Sequence, residues 1–407
     1  MSTYVQRPFY LEKLHKWQDT DLIKVLMGPR RSGKSVLLEL FRNDLRKNGV
    51  ADERFIVFNL EDLNCRQLHE PEALHQAVLE RVKDDGRYYV FIDEIQCCNG
   101  FERVVDSLHL HRNLDIYITG SNAFLLSGEL ATLLTGRYLP IEVTPFSFSE
   151  FREAVADDGN SSDVDFRRYL EIGSFPLAVQ ARNDPSLVAA FYDMLRDSML
   201  LKDVAARLQL RDTALISRLT AMIASSTGSL ISARKIADTL RSNQIGSSVT
   251  TISEYLKALS GAYFFFKAPR FDVAGRKMLT SPEKFYLCDP GFHRHLVPGR
   301  DRALGHLIEN VVYLELRRRW NSVCTGRIGE KEIDFVAQSG QDVAYYQVAA
   351  SILDEAVFER EVSAFAGIKE PFPQYVLTLD RIGVNETVRG IKVLNLVDWL
   401  LKAPVVD

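Results

Sequence analysis

Short apolar runs alternate with longer amphipathic stretches along the first third of the chain. Such alternation is typical of buried strands that are separated by helices. The runs are residues 22–27, 55–60, 88–93, 115–119 and 138–143. The third run is apolar at every position from Tyr89 to Ile92, as expected of a strand covered on both faces. The pattern predicts an α/β fold with a doubly wound parallel sheet.

The pattern becomes helical after the sheet and then changes again. Residues 166–221 show helical spacing throughout. A short helix at 233–240, a turn, an amphipathic helix at 248–259 and an apolar strand at 261–266 follow in this order. Helix, turn, helix and hairpin form the order of a winged helix. We therefore predict a helical lid followed by a winged-helix domain.

The last part of the chain combines helices with alternating strands. A helix at 307–319 precedes strands near 333–336, 345–348 and 375–379, and a helix lies near Val397. This order predicts a further small α/β domain. The predicted division is a sheet domain at 1–155, a helical lid at 156–221, a winged helix at 222–300 and the small α/β domain at 301–407.

Composition and charge place the chain among ordinary globular proteins. Its 407 residues exceed what one core usually supports, and 46% are apolar and 26% charged. With a formal net charge of −4, any surface for nucleic acid must be local. Five cysteines without CxxC spacing indicate a reducing compartment and no zinc site. Because no apolar run approaches the roughly 20 residues of a membrane span, we expect a cytoplasmic protein with no membrane partner.

A phosphate-binding loop is predicted directly after the first strand. Residues 28–35 fit G-x-x-x-x-G-K-S/T and lead into an apolar helix. We expect Lys34 to reach the β and γ phosphates of a nucleotide and the Ser35 hydroxyl to bind magnesium. The alternative is a glycine-rich turn with an incidental lysine. The residues predicted to hold the nucleotide are Gly28, Pro29, Arg30, Arg31, Ser32, Gly33, Lys34 and Ser35.

Two carboxylates follow the buried strand at 88–93. Asp93 would lie at the carboxyl-terminal tip of this strand, the edge at which open α/β sheets bind ligands. We expect Asp93 to hold magnesium, and Glu94 to polarise the attacking water. The alternative is that both acids cap the next helix.

Two further segments are candidates for catalysis. Residues 119–122 end the next strand with Asn122, which could orient the water, although a simple turn also explains them. Arg137, which precedes the last strand, could neutralise charge in the transition state, either in its own subunit or across a subunit boundary. A surface arginine in an ion pair is the alternative.

With these motifs in place, the sequence resembles the AAA-type P-loop ATPases that carry an uncharacterised conserved C-terminal domain, a broad bacterial and archaeal group. The resemblance covers nearly the whole chain. It implies ATP as substrate, Mg²⁺ as cofactor and a homo-oligomeric ring, a hexamer. The residues that carry it are 28–35, 92–96, 119–122, 135–137, 145–148, Glu150, Phe151, 173–176 and 284–291.

Residues 173–177 also resemble the Gly-x-Pro lid element of signalling and switch NTPases. In those proteins a proline packs on adenine, which implies the same contact for Pro176. A helix-breaking loop explains these residues equally well.

The last domain is similar to the restriction-endonuclease-like core. Glu309 on a helix, Asp334 on a strand and Gln347 on the next strand follow the order of that core, in which carboxylates hold magnesium and a lysine helps to activate water. Ala349 stands where that lysine should be. We therefore expect nuclease activity to be absent.

Two functional hypotheses remain open. In the first, the protein is a DNA-binding motor or remodeller, with Arg317, Arg318 and Arg319 contacting phosphates, although a solvated helix end also explains them. In the second, it is a nucleotide-controlled signalling or defence switch that acts on a protein partner. The polar face of the helix at 248–259, which is not rich in arginine, weakens direct reading of bases.

Overall fold

The computed structural model describes residues 4–123, 136–210, 213–297 and 304–402. They form two compact units, the first running to Pro145 with Gly261–Tyr263 added, and the second comprising the rest from Phe146 onward. The finer division at 155, 221 and 300 stays a prediction. Thr135 of the 135–137 motif lies outside the described residues. No helix within the described ranges is long and apolar enough to cross a membrane.

The first unit contains, among its described residues, a five-stranded parallel sheet in the order β2-β3-β4-β1-β5. This sheet confirms the predicted α/β class, and β3 has the predicted bounds. The strands are β1 (Ile23–Met27), β2 (Phe55–Asn59), β3 (Tyr88–Asp93), β4 (Leu114–Gly120) and β5 (Tyr138–Glu142). The helices are α1 (Pro8–Lys16), α2 (Lys34–Lys47), α3 (Pro71–Leu79) and α4 (Phe101–His109).

Helix α2 packs its apolar stripe on the middle of this sheet. Leu37, Phe41 and Leu45 are fully buried at helical spacing, and they belong to one apolar cluster with Phe91 and Tyr117. Each such side chain contributes about 1.5–3 kcal/mol when it is removed from water. This packing fixes the amino-terminal end of α2 directly after the loop that leaves β1.

A buried ion pair joins β1 and β4 near the amino-terminal ends of these strands, away from the loop that leaves β1. Lys24 on β1 and Asp115 on β4 are both fully buried, with Nζ 2.5 Å from Oδ1. Burial lowers the pKa of Lys24, while the Asp115 carboxylate opposes this effect. Removing one member would leave an uncompensated buried charge, which typically costs about 3–5 kcal/mol.

The second unit opens with a helical segment that agrees with the predicted helices. Its helices are α5 (Phe148–Ala154), α6 (Ser162–Ile172), α7 (Pro176–Gln180), α8 (Pro185–Ser198), a π-helical stretch (Met199–Ala205), α9 (Ala206–Leu208) and α10 (Ala214–Ser225). The loop before α7 is fastened by Asp289, which accepts hydrogen bonds from the Ser174 N–H and hydroxyl at 2.6 and 2.5 Å and from the Tyr192 hydroxyl at 2.6 Å. A Cβ atom at Gly173 would lie 1.8 Å from the same hydroxyl, so that position requires glycine.

The rest of the second unit is built on a mixed sheet of nine described strands in the order β13-β14-β12-β11-β10-β9-β7-β8-β6. The strands are β6 (Leu230–Ile231), β7 (Phe265–Asp272), β8 (Lys277–Leu287), β9 (Ser322–Ile328), β10 (Lys331–Ser339), β11 (Asp342–Ala349), β12 (Gln374–Thr378), β13 (Glu386–Val388) and β14 (Ile391–Asn395). The helices are α11 (Ala233–Ser242), α12 (Val249–Gly261), α13 (Pro290–Leu296), α14 (Leu304–Arg319), α15 (Glu355–Ser363) and α16 (Leu396–Leu401).

The order of elements from α10 to β8 is that of the predicted winged helix. The short strand β6 pairs with β8, and β7 and β8 form an antiparallel hairpin. The strand predicted at 261–266 is misplaced, because Tyr263 has a φ of 57° after the end of α12 and β7 begins at Phe265. Since β7 also pairs with β9, the hairpin and the last α/β layer share one sheet.

Candidate functional site

The loop at 28–33 has the backbone of a phosphate-binding loop. Gly28 has a φ of 149°, and a Cβ atom there would lie 2.1 Å from the carbonyl oxygen of Val143, so only glycine fits. Gly33, with a φ of 95°, is the N-cap of α2, and Lys34 is the first helical residue. The loop therefore ends at a helix N-terminus, where free N–H groups and the helix dipole favour an anion.

The side chain of Lys34 lies against this loop. Its Nζ donates hydrogen bonds to the carbonyl oxygens of Gly28 at 3.0 Å and Pro29 at 2.9 Å, and the residue is 5% exposed. A buried ammonium needs compensating oxygens, which here come from the loop itself. Phosphate oxygens at the loop could replace these two carbonyls as partners.

Other residues of the loop also fit a phosphate ligand. Ser32 is fully buried, and its Oγ has no hydrogen-bond partner among the described residues. A buried hydroxyl without a partner is rare in folded proteins and indicates that a ligand or water completes the site. Ser35, in the first turn of α2, is exposed, and so is Arg31, while Arg30 lies 3.7 Å from Glu61.

Arg7 supports the loop and was not singled out from the sequence. Its guanidinium is buried and donates hydrogen bonds to the carbonyl oxygen of Ser32 at 2.9 Å and to that of Thr144 at 2.7 Å. It also lies 4.6 Å from the ring centre of Tyr10. No local pattern marks Arg7, because its partners are distant in sequence. The contact ties the phosphate loop to the segment that leaves β5.

The two predicted acids lie at the same sheet edge as the loop. Asp93 ends β3, and Thr119 on β4 pairs with Leu26 on β1, so the three strands end side by side. The Thr119 hydroxyl donates a hydrogen bond to Asp93 and accepts one from the Glu94 N–H at 3.0 Å. One threonine therefore orients both acids, a role that the prediction for residues 119–122 did not include.

The backbone at Glu94 is strained in a way that positions its carboxylate. Glu94 has a φ of 53°, in the left-handed region that non-glycine residues rarely adopt. Its carboxylate accepts a hydrogen bond from the Gln96 amide two residues later. Strained residues of this kind cluster at functional sites, where the surrounding structure holds them in place.

The oxygen atoms available at this edge suit magnesium. Mg²⁺ is usually bound through one or two protein oxygens together with substrate phosphates. The Ser35 hydroxyl and the Asp93 carboxylate are donors of this kind. In the part of the chain that is described, no group of three or more His, Cys, Asp or Glu side chains could hold a metal ion.

Two predicted contacts with the nucleotide remain predictions. Asn122 lies two residues beyond the end of β4 and is partly buried. Because Asn122 follows the carboxyl-terminal end of β4, it lies on the side of the sheet at which ligands bind. Pro176 is the first residue of α7 in the second unit and is partly buried. Its contact with adenine is not tested.

Arg137 lies at the opposite end of the strands, so its predicted role within its own subunit is wrong. Its carbonyl oxygen accepts a hydrogen bond from the N–H of Ile23, the first residue of β1. The phosphate loop, by contrast, follows Met27, the last residue of β1. The two ends of β1 are about 13 Å apart. The guanidinium is half-exposed and pairs with Asp106 at 2.9 Å. This pair is the surface ion pair that was the alternative for Arg137, and a catalytic role would have to be at a neighbour's nucleotide.

The proposed phosphate-contacting patch at 317–319 is also wrong. The side chain of Arg318 is 6% exposed and that of Arg319 13% exposed, because they form internal contacts in the second unit. Held in this way, the Arg318 and Arg319 guanidinium groups are not available to DNA phosphates. The contacts are Arg317 over the ring of Phe266, Arg318 with Glu150 at 3.2 Å, and Arg319 with Glu315 at 2.7 Å.

The residues of the predicted nuclease-like centre do meet. Glu309, Asp334 and Gln347 line a cavity of about 640 Å³ in the second unit. The Gln347 amide accepts a hydrogen bond from the Asp334 N–H at 2.6 Å and donates one to Glu361 at 2.8 Å. Burial raises the pKa of Asp334, and the Glu309 carboxylate raises it further. Ala349 packs in an apolar cluster, so its strand position supplies no polar group.

Two family descriptions match parts of the chain. Residues 20–152 match the family described as AAA domain, which confirms an AAA-type P-loop domain in the first unit. Residues 163–303 match a domain of unknown function. This second match ends before Glu309, so the comparison does not support a restriction-nuclease-like domain.

Two curated relatives extend over most of the chain. An uncharacterised protein of Haemophilus influenzae is 37% identical over 401 residues, covering 98% of this chain and 99% of that protein. An uncharacterised protein of Methanocaldococcus jannaschii is 29% identical over 363 residues, covering 84% of this chain and 78% of that protein.

Among solved structures, the chain matches Orc1 of Aeropyrum pernix in complex with DNA. The match has 14% identity and a TM-score of 0.33, and it covers 72% of this chain and 90% of that chain. A TM-score of this size supports no inference about function. The relatives, by contrast, settle the family: this chain belongs to the family of AAA-domain proteins that includes the Haemophilus influenzae protein.

Proposed function

We propose that the protein is a Mg²⁺-dependent ATPase of the AAA type. The observation that carries this proposal is that several groups lie at one edge of the sheet. The Lys34 ammonium and the start of α2 lie there, and so do Asp93 and Glu94, which both hydrogen-bond to the Thr119 hydroxyl. A phosphate-binding loop beside two strand-end carboxylates is the arrangement that phosphoryl transfer to water requires.

Each group has a distinct task in this proposal. The loop N–H groups and Lys34 bind the β and γ phosphates, and Lys34 exchanges the Gly28 and Pro29 carbonyls for phosphate oxygens. Ser35 and Asp93 would hold Mg²⁺, which when bound would neutralise charge on the phosphates. Glu94 orients a water molecule and accepts its proton. Thr119 keeps Asp93 and the Glu94 backbone in fixed relative positions.

We propose a homo-oligomeric ring, with a hexamer as the size implied by the family resemblance, and the position of Arg137 is compatible with such a ring. The guanidinium is half-exposed at the end of the strands away from its own nucleotide site. A head-to-tail contact in a ring joins two different surfaces, so the end that carries Arg137 would have to face the neighbour's nucleotide site. We infer that Arg137 neutralises transition-state charge on the neighbour's ATP.

Mixing two inactive variants tests this shared site. Arg137→Ala and Lys34→Ala subunits, combined at equal amounts, are expected to recover activity at about one quarter of the interfaces, where one intact lysine faces one intact arginine. Steady-state ATP hydrolysis measures the recovery. Arg112→Ala, which changes an exposed arginine of the same unit, serves as the control and should remain active alone. Failure of the mixture to recover any activity would contradict a shared site.

DNA is the partner that the winged-helix order of α10–β8 favours. The ATP hydrolysis rate should therefore be measured with and without duplex, forked and single-stranded DNA. We expect DNA to raise kcat, because a motor couples hydrolysis to its track, and we expect chelation of magnesium to abolish turnover in both cases. ATP turnover that persists without divalent cations would overturn the proposed ATPase mechanism, whereas unchanged kcat with DNA would remove only the DNA role.

A switch that acts on a protein partner is the second candidate. The observation that favours it is the internal use of Arg318 and Arg319, which removes a basic surface from the second unit. The exposed side chains of α12 add little charge, since they include Thr250, Ser253, Glu254 and Lys257. A slow ATPase that ignores DNA would agree with this candidate.

A further inference from the structure

A buried lysine contacts two of the carboxylates that line the acidic cavity of the second unit, and it comes from a strand outside the predicted nuclease-like centre. Lys284 lies on β8, in the wing hairpin, and is 3% exposed. Its Nζ lies 2.9 Å from Glu309 Oε1 on α14 and 2.7 Å from Glu332 Oε1 on β10. The Tyr286 hydroxyl, from the same strand, donates a hydrogen bond at 2.7 Å to the same oxygen of Glu309.

The charges around the cavity make this ammonium the central cation. Glu309, Glu332, Asp334 and Glu361 all line the cavity, and of these Glu309 and Glu361 are less than a tenth exposed. Buried carboxylates require a compensating positive charge. Arg360 pairs with Glu361 at 2.6 Å, but its side chain is 71% exposed and lies toward solvent. Lys284, by contrast, is buried and contacts two of the lining carboxylates from different elements.

We propose that the Lys284 ammonium, between Glu309 and Glu332 at the wall of this cavity, occupies the place of a divalent cation and closes these carboxylates to Mg²⁺ and Mn²⁺. Carboxylate oxygens are the ligands that these ions prefer. An ion bound to the same two carboxylates would be repelled by the ammonium, and charge repulsion at contact distance is large in a partly buried site. The Glu309 and Glu332 pair of the native protein is therefore a cation site filled by the protein's own side chain.

This assignment gives the cavity a structural role. The ammonium joins the wing hairpin to the helix and strand that follow it in sequence, as a metal would. Metal-assisted cleavage of nucleic acid is not expected of such a cavity, whatever residue stands at position 349.

Terbium luminescence tests the proposal in the full-length protein without nucleotide. Tyr286 and Tyr313 stack with ring centres 4.2 Å apart beside Glu309, so excitation of tyrosine reports an ion bound in the cavity. Lys284→Gln is expected to bind Tb³⁺ more tightly than the native protein, by on the order of a hundredfold, because a positive charge has been removed. Mn²⁺ should compete for the same site.

Two further variants separate the cavity from other ion sites. Lys284→Arg, which keeps the charge, should show no gain, and the double variant Lys284→Gln/Glu309→Gln should lose the gain. If Lys284→Gln is less stable, Mn²⁺ should raise its Tm but leave that of the native protein and of the double variant unchanged. The proposal is overturned if the native protein binds Tb³⁺ in a manner that Glu309→Gln abolishes. It is also overturned if Lys284→Gln shows neither the luminescence gain nor the Mn²⁺ effect on Tm.

Discussion

Replacing Lys34 with alanine is expected to abolish ATP binding. The lysine ammonium is the positive charge that the structure places against the phosphate loop, 3.0 Å from the Gly28 carbonyl oxygen. Each charge-assisted hydrogen bond that it would make to a phosphate is worth about 1.5–3 kcal/mol. Loss of two such bonds weakens binding by at least about a hundredfold. Titration with a fluorescent ATP analogue measures the change.

The matched control is Lys47→Ala at the other end of α2. Lys47 is exposed and pairs only weakly at the surface, with Asp44 at 3.0 Å. This control variant should bind ATP like the native protein. If Lys34→Ala also bound ATP with native affinity, the assignment of the loop as the nucleotide site would fail.

Glu94→Gln is expected to keep ATP binding and to lose turnover. The change preserves the shape of the side chain and its hydrogen-bonding oxygen, but it removes the group that can accept a proton from water. Loss of a general base typically lowers the rate by about 10²–10⁴-fold. Single-turnover hydrolysis measures the chemical step, and a binding titration on the same sample establishes that the nucleotide is retained.

An acid elsewhere in the same unit provides the comparison for Glu94. Glu72 is exposed in the first turn of α3, so Glu72→Gln makes the same chemical change away from the site. This variant should hydrolyse ATP at the native rate. A Glu94→Gln protein that matched it in single-turnover experiments would show that another group activates the water.

The local sequence pattern predicts the bounds of an element best where the segment is buried on both faces. The run at 88–93 has the bounds of β3, because a strand buried on both faces is apolar at every position and the polar residues mark its ends. The aromatic run at 263–266 was misread as strand from its start. Aromatic residues suit both a helix end and a strand, and the turn at Tyr263 depends on packing that no local signal reveals.

The charged residues show the same contrast. Arg137 and the arginines at 317–319 each had a plausible functional role in the sequence, and each was assigned from its neighbours along the chain. Their partners are distant, however: Arg318 pairs with Glu150, 168 residues away. Such pairing decides whether an arginine is a surface group or an internal contact, and it is not visible before the chain is folded.

The sequence by itself determined the α/β class, the phosphate-binding loop at 28–35 and the acids Asp93 and Glu94. These features are recognisable locally, since the loop motif lies in eight consecutive residues and the strand-end rule places the acids at the ligand-binding edge. Tertiary structure alone decided that Arg137 pairs with Asp106, that Arg7 supports the phosphate loop and that Lys284 contacts carboxylates of the acidic cavity. These three contacts depend on the packing of side chains far apart in sequence, which is set by the burial of the whole core rather than by any segment of it.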